Sequence, residues 1–243
     1  MNSLRSLAAA CAAIGATASP VLAGGPAISL LMSANGQSAA LSLTGNPTST
    51  PDVFNYAGSA AAESGGWIAA WNFNAANAGT DEGLDHAFTA GNFVVVNTSN
   101  STVAFDFVVS MPIAFTGPGL YGGSVSASLT TQGAGSFLDV GGAPVWTATT
   151  GGQAIATLLG GPVAVSRTTA GSSSVGSDSF GEPIPSMPGP NFAGDLTIRL
   201  QFTLTAGASA SFTSVLVGQV PAPGAAVLLG LAGLAGPGRR RRR

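Results

Sequence analysis

The sequence predicts an all-β protein, an antiparallel β-sandwich with a jelly-roll-like arrangement as a variant. Three observations carry this. Leu196, Ile198, Leu200, Phe202 and Leu204 alternate with Thr197, Arg199, Gln201 and Thr203, the period-two pattern of a strand with one packed and one wet face. Short apolar runs recur between Gly- and Ser-rich breaks, spaced as in sandwiches. Finally, no apolar stripe of helical period with a charged flank lies between residues 24 and 218.

The strands follow in chain order. Residues 27–32 and 38–44 are short runs of alternating apolar and small polar residues. Trp67, Ala69, Trp71 and Phe73 define one face of a third strand, and 92–96 supplies a Val-rich fourth. Val103, Phe105, Phe107 and Val109 share a face within 102–110. Asp106 falls on the opposite face, toward solvent. Val125, Ala127 and Leu129 mark the next strand. Residues 144–149, 154–159, 163–168, 195–204 and 211–217 complete ten or eleven. Residues 97–101 read as a turn, and 206–209 as the loop of a closing hairpin. Residues 47–65 and 168–191 read as irregular, the second a 24-residue surface loop. Short alanine-rich pieces at 60–63 and 75–78 suit single helical turns.

The two ends have a different character. Arg5, an alanine-rich apolar stretch and Val21-Leu22-Ala23 compose a secretory signal over residues 1–23, with cleavage between Ala23 and Gly24. The lone cysteine, Cys11, lies inside it, so the processed chain has no thiol and makes no disulfide. At the other end Val220-Pro221-Ala222-Pro223 precedes an uncharged segment. The 19 residues from Val220 to Gly238 are about the length needed to cross a bilayer. Arg239, Arg240, Arg241, Arg242 and Arg243 close the chain as a cluster that favours the cytoplasmic side. Both ends then agree on one topology, with the body of the protein exported.

This three-part tail resembles the C-terminal sorting signal of the PEP-CTERM proteins, exported proteins of Gram-negative bacteria that make extracellular polysaccharide. The resemblance covers residues 220–243. It implies transient anchoring in the inner membrane through the apolar segment, recognition at Val220–Pro223 and cleavage by an exosortase-type membrane protease. The family motif reads Val-Pro-Glu-Pro, and Ala222 stands here where the glutamate is usual. The implied partners are the Sec-type export machinery, signal peptidase, the exosortase and the extracellular polysaccharide. The implied destination is the cell surface, outer membrane or matrix.

Between the ends, residues 24–219 form one domain, long enough for a substantial core. Its ten carboxylates face only Arg167 and Arg199, a formal charge of −8. That balance excludes nucleic acid as a natural partner, because phosphate binding needs basic charge. The densest polar cluster contains Asp81, Glu82, Asp85 and His86. Its oxygens suit calcium, but the spacing is not that of an EF-hand, and a solvated acidic loop is the simpler reading. His86 is the chain's single histidine, and no nucleophile elbow accompanies it. Trp67, Trp71 and Trp146 offer either a sugar-stacking platform or core. The reading that results is a non-enzymatic, exported structural or matrix-associated protein that needs no cofactor. A carbohydrate-binding module is the alternative, and a hydrolase a more distant one.

Overall fold

The computed structural model describes residues 25–35, 37–62, 65–79, 85–113 and 115–221. Among them are sixteen strands and no helix. They are β1 (Ile28–Ala34), β2 (Gln37–Leu43), β3 (Asn46–Pro47), β4 (Phe54–Ala61), β5 (Trp67–Gly79) and β6 (Asp85–Asn97). Next come β7 (Val103–Pro112), β8 (Gly117–Thr131), β9 (Gly135–Leu138), β10 (Trp146–Thr150) and β11 (Gln153–Leu158). The chain continues with β12 (Ala164–Arg167), β13 (Gly171–Phe180), β14 (Met187–Phe192), β15 (Asp195–Leu204) and β16 (Ala208–Val220).

These strands make two antiparallel sheets. The first runs β11-β10-β15-β7-β1-β2, with β9 joining the far end of β15 and β12 pairing with β9. The second runs β13-β8-β16-β6-β5-β4-β3, with β14 continuing the edge of β8 beyond β13. The alternation read from 195–204 becomes β15 at the same bounds, with Leu196, Ile198, Leu200, Phe202 and Leu204 all buried.

The sheets face one another across an aromatic core. Phe93 of the second sheet meets Phe107 of the first at a centroid distance of 4.9 Å. Phe212 meets Phe202 at the same separation. Phe105, Phe107 and Phe137 crowd around Phe202 within the first sheet. Full burial of each such ring contributes about 1.5–3 kcal/mol. Their tilted contacts add roughly 0.5–1.5 kcal/mol apiece. The indole N–H of Trp146 on β10 donates across the interface to the Ser214 hydroxyl on β16, at 2.8 Å. Glycine is needed where β6 passes β5. A Cβ on Gly91 would run into the backbone of Asn72 and Phe73.

Several expectations are corrected. The segments read as irregular hold β4, β13 and β14. Serine and glycine have little strand preference of their own, but β13 lies along β8 over nearly its whole length, where ladder hydrogen bonds decide. Of the alanine-rich pieces that suit single helical turns, Ala60, Ala61 and residues 75–78 are instead strand, at the ends of β4 and β5. Residues 206–209 do not close a hairpin. β15 belongs to the first sheet and β16 to the second, so this turn crosses between sheets, as does the turn at 98–102.

Asn97 ties these two crossings together. It is fully buried, and its amide donates to the carbonyls of Leu204 (2.9 Å) and Ser101 (2.8 Å). Its side-chain oxygen accepts from the backbone N–H (3.0 Å) and hydroxyl (2.7 Å) of Ser99. Its backbone carbonyl accepts from the Gly207 N–H at 3.0 Å.

Candidate functional site

The three tryptophans are core. Trp67, Trp71 and Trp146 are 3%, 7% and 0% exposed, so none turns a ring face to solvent on which a sugar could stack. The stacking reading gives way to packing: Trp67, Ala69, Trp71 and Phe73 occupy one side of β5, and all four are buried in the core.

Half of the acidic cluster is described. Asp85 and His86 are not loop residues but open β6, where they pair with Val220 and Gln219 of β16. Asp81 and Glu82 lie outside the described residues. Among the described residues no three His, Cys, Asp or Glu side chains come together as a metal would require. Ala23, Gly24, Ala222, Pro223 and Arg239 to Arg243 also lie outside the described residues.

Four described carboxylates hold the fold. Asp106 accepts from Arg199 through two guanidinium nitrogens, the Nε contact at 2.8 Å, on the outer face of the first sheet. It is therefore ion-paired rather than simply solvated. The hydrogen bond to Asp106 raises the Arg199 pKa above its ordinary value. Asp139 accepts from the backbone N–H groups of Gly142 and Val163, pinning the turn after β9. Asp178 receives the Leu159 N–H, and Asp195 receives the hydroxyls of Ser110 and Thr197.

Both tyrosines are buried, and both phenols donate to proline carbonyls, Tyr56 to Pro26 and Tyr121 to Pro190. Burial pushes each phenol up to about 12, with Thr150 opposing slightly at Tyr121. Glycines 119, 189 and 218 leave room for the Tyr121 ring.

Two surface features remain. The outer face of the second sheet carries hydroxyls in rungs across β13, β8 and β16: Ser174, Ser128 and Ser211 form one, and Ser177, Ser126 and Thr213 the next. The rungs border shallow, open depressions of about 370 and 390 Å³. The second feature lies where the open edge of the sandwich meets one end. Two adjoining clefts of about 430 and 300 Å³ share Trp67 and Gln37 as walls. Ser38 and Ala62 line the larger, and Asn35 and Ser99 the smaller. The buried Trp67 indole N–H has no hydrogen-bond acceptor. Sequence reasoning picked out Trp67 but not this cleft, because its walls come from three separate turns and the strand ends beside them. The hydroxyl rungs were half legible, as Ser124, Ser126 and Ser128 are the outward partners of Val125, Ala127 and Leu129.

No protein-family model matches the chain, and no curated protein matches it. Among solved structures the chain is similar to that of TmCBM61 in complex with β-1,4-galactotriose, at 11% identity. The match covers 62% of this chain and 86% of that one, with a TM-score of 0.22. So low an overlap transfers neither fold nor ligand to this chain.

Proposed function

We propose that this chain is an exported structural protein of the cell surface or extracellular matrix, and that residues 220–243 are a sorting signal removed by an exosortase-type membrane protease. The observation that carries the reading is the tail itself: a proline-flanked motif, an uncharged segment of spanning length and five terminal arginines. The fold supports it at the junction. β16 sits between β8 and β6 in its sheet and ends at Val220, paired with Asp85. Pro221 has no N–H to extend the ladder.

The body then has the properties of a durable extracellular part. It has an aromatic core between two sheets and, without its leader, no cysteine to oxidise. The proposal gives it a structural role and no reaction. Intact-mass analysis of the protein recovered from the cell surface tests it. The expected mass lacks residues 1–23 and the arginine cluster. Surface protein that still carries Arg239 to Arg243 contradicts the reading.

A further inference from the structure

We infer that the outer face of the second sheet is an interface at which two copies of this chain meet face to face. The face is built from β4, β5, β6, β16, β8 and β13, each giving four outward residues that stand in register. Ser59, Ala70, Val94, Ser211, Ser128 and Ser174 form one row across it. On one side lies the row from Ala61 to Ser172. On the other lie the rows from Ala57 to Ser177 and from Asn55 to Ser179. Every residue of this block is described, and none is charged. The charged groups described on these strands lie outside it. Asp178 on the edge strand turns to the Leu159 N–H, and Asp85 and His86 open β6 beyond the last row. Arg167 sits at the rim, held by the Ser172 carbonyl and the Ser173 hydroxyl. The first sheet differs, with Asp106 and Arg199 on the outer face of its middle strands.

Charge and area select the occupant. Residues 24–219 carry a formal charge of −8, so copies of the body repel one another unless they meet where no carboxylates are brought together. This block meets that condition. With strands about 4.8 Å apart and rows about 6.8 Å apart, it covers roughly 700–800 Å², about what each partner gives to a standard interface. Ile68 and Val94 are 46% and 37% exposed, and with Ala70 and Val96 beside them they supply apolar surface to bury. Part of the polar surface is already satisfied. The Asn55 amide donates to the side-chain oxygens of Asn72 (2.8 Å) and Asn74 (2.9 Å), and the Thr213 hydroxyl to that of Asn92 (2.7 Å). Covering these groups therefore strands fewer donors. Small side chains let two such faces approach to about 10 Å, the usual spacing of packed sheets. A two-fold axis across the strands lays the block of one copy on the block of the other, with Val94 near the centre and the charges at the rim. The inference does not depend on the sorting signal, whose test is the mass of a single chain.

Sedimentation of the purified full chain tests it, in a mild detergent because both ends carry apolar stretches. At about 100 μM, enough to populate a dimer of micromolar affinity, the protein should sediment as a dimer. Val94→Asp sets like charges near the centre of the interface and should weaken association by at least about tenfold. Leu31→Asp adds the same charge at an exposed position of the first sheet and should leave the dimer intact. Circular dichroism should show the same β-rich spectrum for both variants. A second measurement uses a native-like surface. In a Cys11→Ser background, Val94→Cys should be joined into a dimer by a short bismaleimide, and Leu31→Cys should not. A wild-type monomer at this concentration overturns the inference. So does a dimer that Val94→Asp leaves unchanged, the result that association through the apolar tail would give, and so does equal cross-linking at Leu31→Cys.

Discussion

Replacing Asn97 by alanine should loosen both crossings between the sheets at once. The amide contributes four hydrogen bonds, and the one to the Leu204 carbonyl is buried. Losing a buried partner costs about 1–3 kcal/mol, whereas groups that water can reach lose only about 0.5–1.5 kcal/mol each, and less where water replaces the bond. The sum is about 2–4 kcal/mol. For a domain of this size that corresponds to a fall in Tm of roughly 5–15 °C. Asn97→Asp is the sharper probe. It preserves shape and volume but turns the donating end into an acceptor that faces the carbonyls of Leu204 and Ser101, and it buries a charge. It should therefore be worse than alanine. Urea denaturation followed by tryptophan fluorescence, with calorimetry for Tm, measures both variants. A loss below about 0.5 kcal/mol for Asn97→Ala, the level of an ordinary surface change, would show that the crossings do not depend on this residue. An aspartate variant as stable as the alanine one would show that donor polarity is irrelevant there.

Both phenols should titrate together and late. An absorbance titration of tyrosinate should give midpoints near 12 for Tyr56 and Tyr121, raised from 10 by burial. Because the folded-state values are raised, the stabilisation is complete below pH 10 and is lost as pH rises toward 12, so urea midpoints should fall across that window. A midpoint near 10 for either phenol in the folded protein would contradict its burial. Arg199→Met should change stability by less than about 1 kcal/mol, as its bond to Asp106 lies on a partly exposed face; a loss of several kcal/mol in urea denaturation would mean that the pair is far better shielded. Gly91→Ala should cost at least about 1–3 kcal/mol, since its Cβ would strike the Asn72 and Phe73 backbone, which can move only with the sheet. Wild-type urea midpoints for that variant would refute the close approach. Trp146→Phe should lose about 1–3 kcal/mol with the cross-sheet bond to Ser214, read from the same melts.

How much was legible differs from strand to strand. Residues 195–204 were readable in full, because one face is apolar at every second position and the other is polar throughout. β13 was not, because Gly171–Phe180 is an edge strand with few apolar positions, and its pairing with β8 comes from a segment roughly forty to sixty residues away. The tryptophans show the same limit at the level of a site. Spacing placed Trp67 and Trp71 on one face of a strand, but whether that face met water or the other sheet depended on which strands covered it.

The all-β class, the strands with strong alternation and the negative charge of residues 24–219 can be read along the chain alone. Each of these is local, set by neighbouring residues along the chain. Tertiary structure decided which turns are hairpins and which cross between sheets. It also decided that Asp106 meets Arg199, that Asn97 joins the two crossings, and that Trp67 is walled into a cleft with Gln37, Ser38 and Ser99. Such pairings unite residues as far as about a hundred positions apart, and nothing in a residue's immediate sequence encodes which distant partner the packing of two sheets will bring to it.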